Sequence, residues 1–120
     1  MYKVNGDFYC RNNNLRSLNG GPEIVEGNFS CSSNKLTSLR GCPKIIEGDF
    51  NCHSNNLTSL EGCPKIVKGD FWCHNNNLTS LNGCPKIVEG NFICDDQKNG
   101  HTFTKEEVEK HCKVGDTIYV

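Results

Sequence analysis

The chain has 120 residues, with 13 Lys and Arg against 14 Asp and Glu, and a formal net charge of −1 at neutral pH. This length predicts one domain. The near-neutral charge argues against a general binder of nucleic acid or membrane surfaces. No apolar run approaches the roughly 20 residues needed to span a bilayer, and residues 1–8 lack the apolar stretch of a secretory signal.

A pattern of 21 residues recurs four times and begins a fifth time. Its core is F-x-C-x-x-N-x-L-x-x-L-x-G-C-P-K-I. The Phe positions are Phe8, Phe29, Phe50, Phe71 and Phe92; the Cys positions are Cys10, Cys31, Cys52, Cys73 and Cys94; the Asn positions are Asn13, Asn34, Asn55 and Asn76. A fixed period of this kind predicts a solenoid, in which each unit buries its apolar face only against its neighbours.

The first part of each repeat alternates apolar and polar residues. In residues 49–53, Phe50 and Cys52 alternate with polar positions, and a period of two predicts a short strand with one buried face. Asn55 follows where the chain must turn. We expect its side chain to satisfy backbone groups of its own and the adjacent coil, so that the repeated asparagines form a ladder.

The second part of each repeat, L-T-S-L-x-G-C-P-K-I, is too short and too interrupted by Gly and Pro for an α-helix. We expect an extended, polyproline-like or 3₁₀ outer side. Leu57 and Leu60 are predicted to point inward, and Ile66 is predicted to re-enter the core.

Nine cysteines would suit a disulfide scaffold by number, but eight of them fall in two columns of the repeat. Stacked coils would place neighbours about 4.8 Å apart with parallel Cβ directions, which suits a disulfide poorly. Local CxxC pairs typical of zinc sites are absent. We therefore expect reduced, buried thiols and a cytoplasmic setting.

The spacing around Phe71, Cys73, Asn76, Leu78 and Leu81 resembles the L-x-L-x-x-N-x-L-x-x-L motif of leucine-rich-repeat proteins. The short period and the L-T-S-L segment are similar to the bacterial type, and G-D-F-x-C-x-x-N-x-L-T-S-L-x-G-C-P-K resembles repeat proteins encoded by bacteriophages. The resemblance covers residues 2 to about 96. It implies a mostly-β, α/β-solenoid-type fold with a parallel sheet on one face, and it says almost nothing about function.

The fifth copy ends after Cys94, so residues 1–96 are predicted to form the solenoid and residues 97–120 a C-terminal cap. Thr104 and Glu107 form a capping box that predicts a helix over about 105–112, and 117–120 is predicted as a strand. The N-terminus has no comparable cap. Its first strand is expected to offer an open edge around Tyr2, Val4 and Phe8, which a homodimer would bury.

Information about a partner is expected in the outward columns, because structure fixes the inward ones. Two columns vary between copies that are otherwise nearly identical. They are Tyr9, Ser30, Asn51, Trp72 and Ile93, and Arg11, Ser32, His53, His74 and Asp95. An exposed Trp beside an Ile has the composition of a binding hot spot. The alternative is that residues 97–120 fold over both side chains.

Other chemistry finds less support on this face. Its aspartates oppose phosphate binding. His53, His74 and Asp95 would be the only candidate metal ligands, and two solvent-exposed histidines are the favoured interpretation. We predict no cofactor and no enzyme activity, because a sheet face without a deep pocket excludes water poorly.

The leading hypothesis is a protein-binding module that uses Tyr9, Asn51, His53, Trp72, His74 and Ile93. The resemblance to phage-encoded proteins implies a host or defence protein as the partner, in the cytoplasm of the bacterial host. The alternative is a structural or virion-assembly component that self-associates through the N-terminal edge. A metal-dependent enzyme is a distant third hypothesis.

Overall fold

The computed structural model describes all residues from Met1 to Val120. The chain winds into a β-solenoid whose coils repeat every 21 residues, with two short strands in each coil. The strands form two parallel sheets on opposite sides of one core. The first sheet, here called the Ile sheet, consists in spatial order of β1 (Lys3–Val4), β3 (Ile24–Val25), β5 (Ile45–Ile46), β7 (Ile66–Val67), β9 (Ile87–Val88) and β11 (Lys113–Val114).

The second sheet, here called the Phe sheet, carries the predicted strands of the repeat. In chain order it consists of β2 (Phe8–Tyr9), β4 (Phe29–Ser30), β6 (Phe50–Asn51), β8 (Phe71–Trp72), β10 (Phe92–Ile93) and β12 (Ile118–Tyr119). The register keeps equivalent residues opposite each other, so that Phe50 pairs with Phe71 and Asn51 with Trp72. The mostly-β parallel solenoid expected from the sequence is therefore confirmed.

The core is a set of stacked columns. The Phe rings lie one above another, with centroids 5.7 Å apart for Phe29 and Phe50, and 5.4 Å apart for Phe50 and Phe71. Such offset or tilted aromatic pairs add about 0.5–1.5 kcal/mol each beyond the area that they bury. Cys52, Leu57 and Leu60 fill the remaining volume of their coil and are fully buried.

The Ile sheet departs from the sequence prediction. The segment is extended, as expected, but it also pairs with its neighbours into a second parallel sheet. The prediction that Ile66 re-enters the core is wrong: Ile66 is 45% exposed, whereas Val67 is completely buried. Successive residues of a strand point to opposite faces, so only one of the two can enter the core.

The Asn ladder is present and holds the coils together. Asn55 lies completely inside the molecule, where its Oδ1 accepts from the Leu36 amide at 3.0 Å and its Nδ2 donates to the carbonyls of Cys31 and Cys52 at 3.0 and 3.2 Å. Each such side chain therefore satisfies buried backbone groups of two coils, which a buried turn requires.

The ladder continues beyond the last Asn. Gln97 follows Asn76 by one period, donates to Cys73 and Cys94 carbonyls at 3.2 and 3.0 Å, and accepts from the Leu78 amide at 2.9 Å. The sequence prediction placed the break of the fifth repeat before this residue. A Gln supplies the same amide group as an Asn, so the turn survives there.

The C-terminal segment completes the solenoid with a helix. The helix α1 spans Lys105–His111, one residue shorter than predicted, and has the predicted capping box between Thr104 and Glu107. Val108 is its buried residue. β11 and β12 then continue the two sheets as their last strands. No helix of the chain is long and apolar enough to cross a membrane.

Candidate functional site

The outward face of the Phe sheet consists of three columns of side chains, because Phe and Cys alternate inward along each strand. The first column is a second hydrogen-bond ladder. Asn28 Oδ1 accepts from the Asp49 amide at 2.7 Å, and Asp49 Oδ1 accepts from the Asp70 amide at 2.8 Å. The same contact joins Asp7 to Asn28 and Asp70 to Asn91. The residues of this column are all Asp or Asn because the side-chain oxygen of each accepts a hydrogen bond from a backbone amide of the next coil.

A close approach of glycines accompanies this ladder. A Cβ on Gly48 would overlap Asn28 Oδ1 and would lie 2.9 Å from the carbonyl carbon and oxygen of Gly27. Real Cβ atoms essentially never come so near to another backbone. The equivalent glycines Gly27, Gly69 and Gly90 have the same close approach, so the Gly-Asp or Gly-Asn pair of these repeats is fixed by packing of the coils and carries no information about a ligand.

The second column carries the variable residues, and the structure extends it by one. The register aligns Asn51 with Trp72, Trp72 with Ile93, and Ile93 with Tyr119. Trp72 and Ile93 are half-buried and Tyr119 is 49% exposed. Three successive rungs therefore present large apolar side chains about 4.8 Å apart at the backbone.

A shallow depression of about 320 Å³ lies over these rungs. Trp72, Ile93 and Tyr119 form its apolar part, and His74 lies beside Trp72 at its edge. Asp70 and Asn91, from the first column, complete the lining. A partly exposed Trp and Tyr at the centre of a depression, rimmed by polar groups, match the composition of a binding hot spot.

Residues 97–120 do not fold across Trp72 and Ile93. β12 pairs with the free side of β10 and lies beside Ile93, so the segment lengthens the exposed face. Tyr119 is consequently a candidate binding residue that the sequence prediction missed. It follows Ile93 by 26 residues, whereas every earlier step of the column is 21, and the residues of α1 account for the longer interval.

His53 and His74 occupy neighbouring rungs of the third column. Their rings are stacked, with centroids 4.6 Å apart. His53 Nδ1 lies 2.7 Å from Ser54 Oγ, whereas His74 Nδ1 is buried and has no hydrogen-bond partner. Burial, together with the neighbouring His74, lowers the pKa of His53.

The structure does not bring a metal site together at these histidines. No group of three or more His, Cys, Asp or Glu side chains is placed to hold a metal ion. Asp95 is in the same column, but the two histidines contact each other through their ring faces, with an interplanar angle of 21°. The pair contributes polar edges to the face next to Trp72.

Tyr9 is separated from the other predicted site residues. It packs against Arg11, whose guanidinium carbon lies 4.8 Å from the Tyr9 ring centroid. Ser30 and Ser32 follow on the next rung and are almost completely buried, with their hydroxyl oxygens 3.1 Å apart. The serine rung therefore presents almost no side-chain surface between Tyr9 and the rest of the face. Asn51, His53, Trp72, His74 and Ile93 remain contiguous.

The cysteines provide no activated nucleophile. All nine are free thiols, and seven of them are buried. Burial raises the pKa of Cys52 well above its ordinary value, that of Cys84 to about 11 and that of Cys94 to about 12. These thiols are therefore protonated at neutral pH and pack as small apolar groups.

Comparisons with protein-family models, with curated proteins and with solved structures found no match to this chain.

Proposed function

We propose that the chain is a protein-binding module and that its binding site is the contiguous face formed by Asn51, His53, Trp72, His74 and Ile93, extended by Tyr119. One observation carries the proposal. Trp72, Ile93 and Tyr119 stand on successive rungs over one shallow depression, while the inward columns of the same coils barely change. Ser30 and Asn51 occupy the equivalent positions of two other coils, so a large side chain is not needed there to build a coil.

The chemistry of the face favours a protein over a nucleic acid. Asp49 and Asp70 line the same face, Asp95 lies beside His74 in the third column, and the cation of this face, Arg11, packs on Tyr9 at the far end. Phosphates would meet carboxylates here, which opposes the electrostatic term that nucleic-acid binding needs. Aromatic and aliphatic side chains at a polar rim suit a protein surface.

The proposal extends to family and setting by resemblance. The spacing of Phe, Cys, Asn and Leu in the repeat is similar to short leucine-rich repeats of bacteria and bacteriophages, and we infer that the chain is a solenoid of this type. A bacterial host protein, including a defence protein that the chain would inhibit in the host cytoplasm, is then the partner to test first.

The test uses Trp72→Ala with Tyr9→Ala as its matched control, since both residues are partly exposed aromatics in the same column. A partner is first captured from bacterial lysate on the immobilised wild-type chain and identified by mass spectrometry. Its dissociation constant is then measured against each variant. Hot-spot truncation costs about 2 kcal/mol or more, so Trp72→Ala should weaken binding by about 30-fold.

Tyr9→Ala should change the affinity by less than about threefold, as expected outside a hot spot. Both variants should remain folded and unfold cooperatively, because neither side chain is among the buried core residues. Equal affinities of wild type and Trp72→Ala would refute the proposed site. An effect of Tyr9→Ala alone would place binding at the N-terminal end.

A second candidate function rests on that N-terminal end. In the first coil Phe8, Cys10 and Leu15 are only half-buried, and a cleft of about 210 Å³ lies against them. Self-association through this edge would cover them, as an assembly component requires. Light scattering distinguishes the two: a monomer at all concentrations contradicts assembly, and a dimer or larger species abolished by Phe8→Ser supports it.

A further inference from the structure

The outward face of the Ile sheet carries an apolar stripe that neither core packing nor the proposed site explains. It consists of four isoleucines at equivalent rungs, here called the Ile stripe: Ile24, Ile45, Ile66 and Ile87. Ile45, Ile66 and Ile87 are 44%, 45% and 37% exposed. A lysine occupies the next position of the column at each end: in the strand register Lys3 lies opposite Ile24, and Lys113 lies opposite Ile87.

A depression of about 610 Å³ lies at the centre of the Ile stripe. Ile45 and Ile66 line it together with Lys44, Lys65 and Lys68. Apolar side chains and ammonium groups thus border the same space. A ligand that fills it must offer apolar surface to the isoleucines and negative charge to the lysines.

The charges beside the stripe are segregated. The column before the isoleucines contains Glu23, Lys44, Lys65 and Lys86, and the column after their buried neighbours contains Glu26, Glu47, Lys68 and Glu89. Glu26 and Glu47 are already paired, with Lys3 and Lys68, each at 2.6 Å. Lys44, Lys65 and Lys86 form no ion pair within the chain. One flank of the stripe is therefore a row of three uncommitted cations.

We propose that the Ile stripe binds an amphipathic helix of another protein, with apolar residues on the contact face and carboxylates along one flank. Four rungs spaced about 4.8 Å give a stripe of roughly 14 Å. Three turns of α-helix rise about 16 Å, with apolar residues at i, i+3, i+4 and i+7 on one face. Carboxylates along one flank then lie over Lys44, Lys65 and Lys86.

Two other occupants fit the observations less well. A second copy of the chain would bury far less through this narrow stripe than the roughly 800 Å² per partner of a stable interface. An anionic membrane has the same charge on both sides of any stripe. It would meet Lys44 and Lys65 on one flank but Glu47 and Glu89 on the other, whereas a helix with one acidic flank avoids that repulsion.

The test uses two synthetic peptides of 14 residues with identical Leu positions on one helical face and either Glu or Lys along the adjacent flank. Fluorescence anisotropy follows the titration of each labelled peptide with the full chain. The Glu peptide should bind saturably and the Lys peptide should not. The double variant Lys44→Glu with Lys65→Glu should weaken the Glu peptide at least about tenfold and permit binding of the Lys peptide.

A second double variant, Ile45→Thr with Ile66→Thr, keeps β-branched side chains on the strands and should also weaken the Glu peptide at least about tenfold. Trp72→Ala should leave this binding unchanged, because it lies on the other sheet. Equal binding of both peptides, no saturable binding of either, or no effect of the isoleucine variant would overturn the proposal. The proposal would also be overturned if the wild-type chain formed a dimer that the isoleucine variant dissociates. The same holds if the wild-type chain bound phosphatidylglycerol vesicles and the isoleucine variant abolished that binding while peptide binding persisted.

Discussion

Replacing Asn55 by Ala should be among the most damaging single changes in the chain. The side chain is completely buried, accepts from the Leu36 amide at 3.0 Å, and donates to the carbonyls of Cys31 and Cys52. Alanine cannot replace any of these contacts, and the space beneath the turn is too enclosed for bulk water to reach them. A buried donor or acceptor left without its partner costs about 1–3 kcal/mol.

The Leu36 amide loses its partner outright in this variant. The Cys31 carbonyl retains Asn34 Nδ2 at 3.0 Å and the Cys52 carbonyl retains Asn76 Nδ2 at 3.1 Å as second donors, so the losses at these two carbonyls are partial. We therefore expect a loss of about 3–5 kcal/mol in the free energy of unfolding. A chain of this length has a total stability on the order of 6–18 kcal/mol, so the variant should fold but be strongly destabilised.

Urea unfolding followed by circular dichroism measures this loss. With a slope of about 1.5 kcal/mol/M, the midpoint should fall by about 2–3 M. Asn82→Ala is the matched control: this Asn is exposed, and its replacement should change stability by less than about 0.5 kcal/mol. A midpoint for Asn55→Ala within 0.3 M of the control would refute the reasoning that the ladder holds the coils together.

Two further variants test other features of the coil. Gly48→Ala should lower the free energy of unfolding by about 1–3 kcal/mol, because its Cβ would overlap Asn28 and the Gly27 backbone. Gly6→Ala should be nearly neutral, because nothing lies within 4 Å of its Cβ. Equal losses in the two variants, measured by thermal or urea unfolding, would contradict the close approach of the coils at Gly48. The pKa of His53 is lowered on folding by burial and by His74, so the unfolded chain binds more protons and stability should fall as pH decreases below about 6.5. The unfolding midpoint of His53→Asn should depend less on pH between 7 and 5 than that of His101→Asn. Parallel pH profiles of the two variants would count against this assignment.

The features that the sequence predicted well are those with a strict period. Phe50 and Cys52 alternate with polar residues, and a period of two fixes which face is buried whatever the identity of the neighbouring coil. Asn55 recurs at the point where the chain must turn, and a buried turn needs an amide side chain there. Thr104 and Glu107 define the start of α1 by a local hydrogen-bond pattern that depends on no distant contact.

The features that the sequence prediction missed lie where the local pattern is ambiguous. Ile66 and Val67 are both β-branched and apolar, so hydropathy alone does not say which one points inward. The strand that they form has only two residues and follows a Gly and a Pro. Because such a short segment after Gly and Pro has the pattern of a turn, the sequence did not predict a second sheet. Gln97 lies at the 21-residue spacing of the Asn ladder but is a different residue type. Tyr119 lies in the same column as Trp72 and Ile93 but does not follow the 21-residue spacing.

The Asn ladder makes each coil dependent on the one that follows it in sequence. The Leu36 amide is satisfied by Asn55, the Leu57 amide by Asn76 and the Leu78 amide by Gln97, in each case 19 residues further along the chain. During synthesis a coil therefore cannot complete its hydrogen bonds until most of the next coil has left the ribosome. Ordering should advance toward the C-terminus one coil behind elongation, and Gln97 supplies the last amide needed before the helix begins.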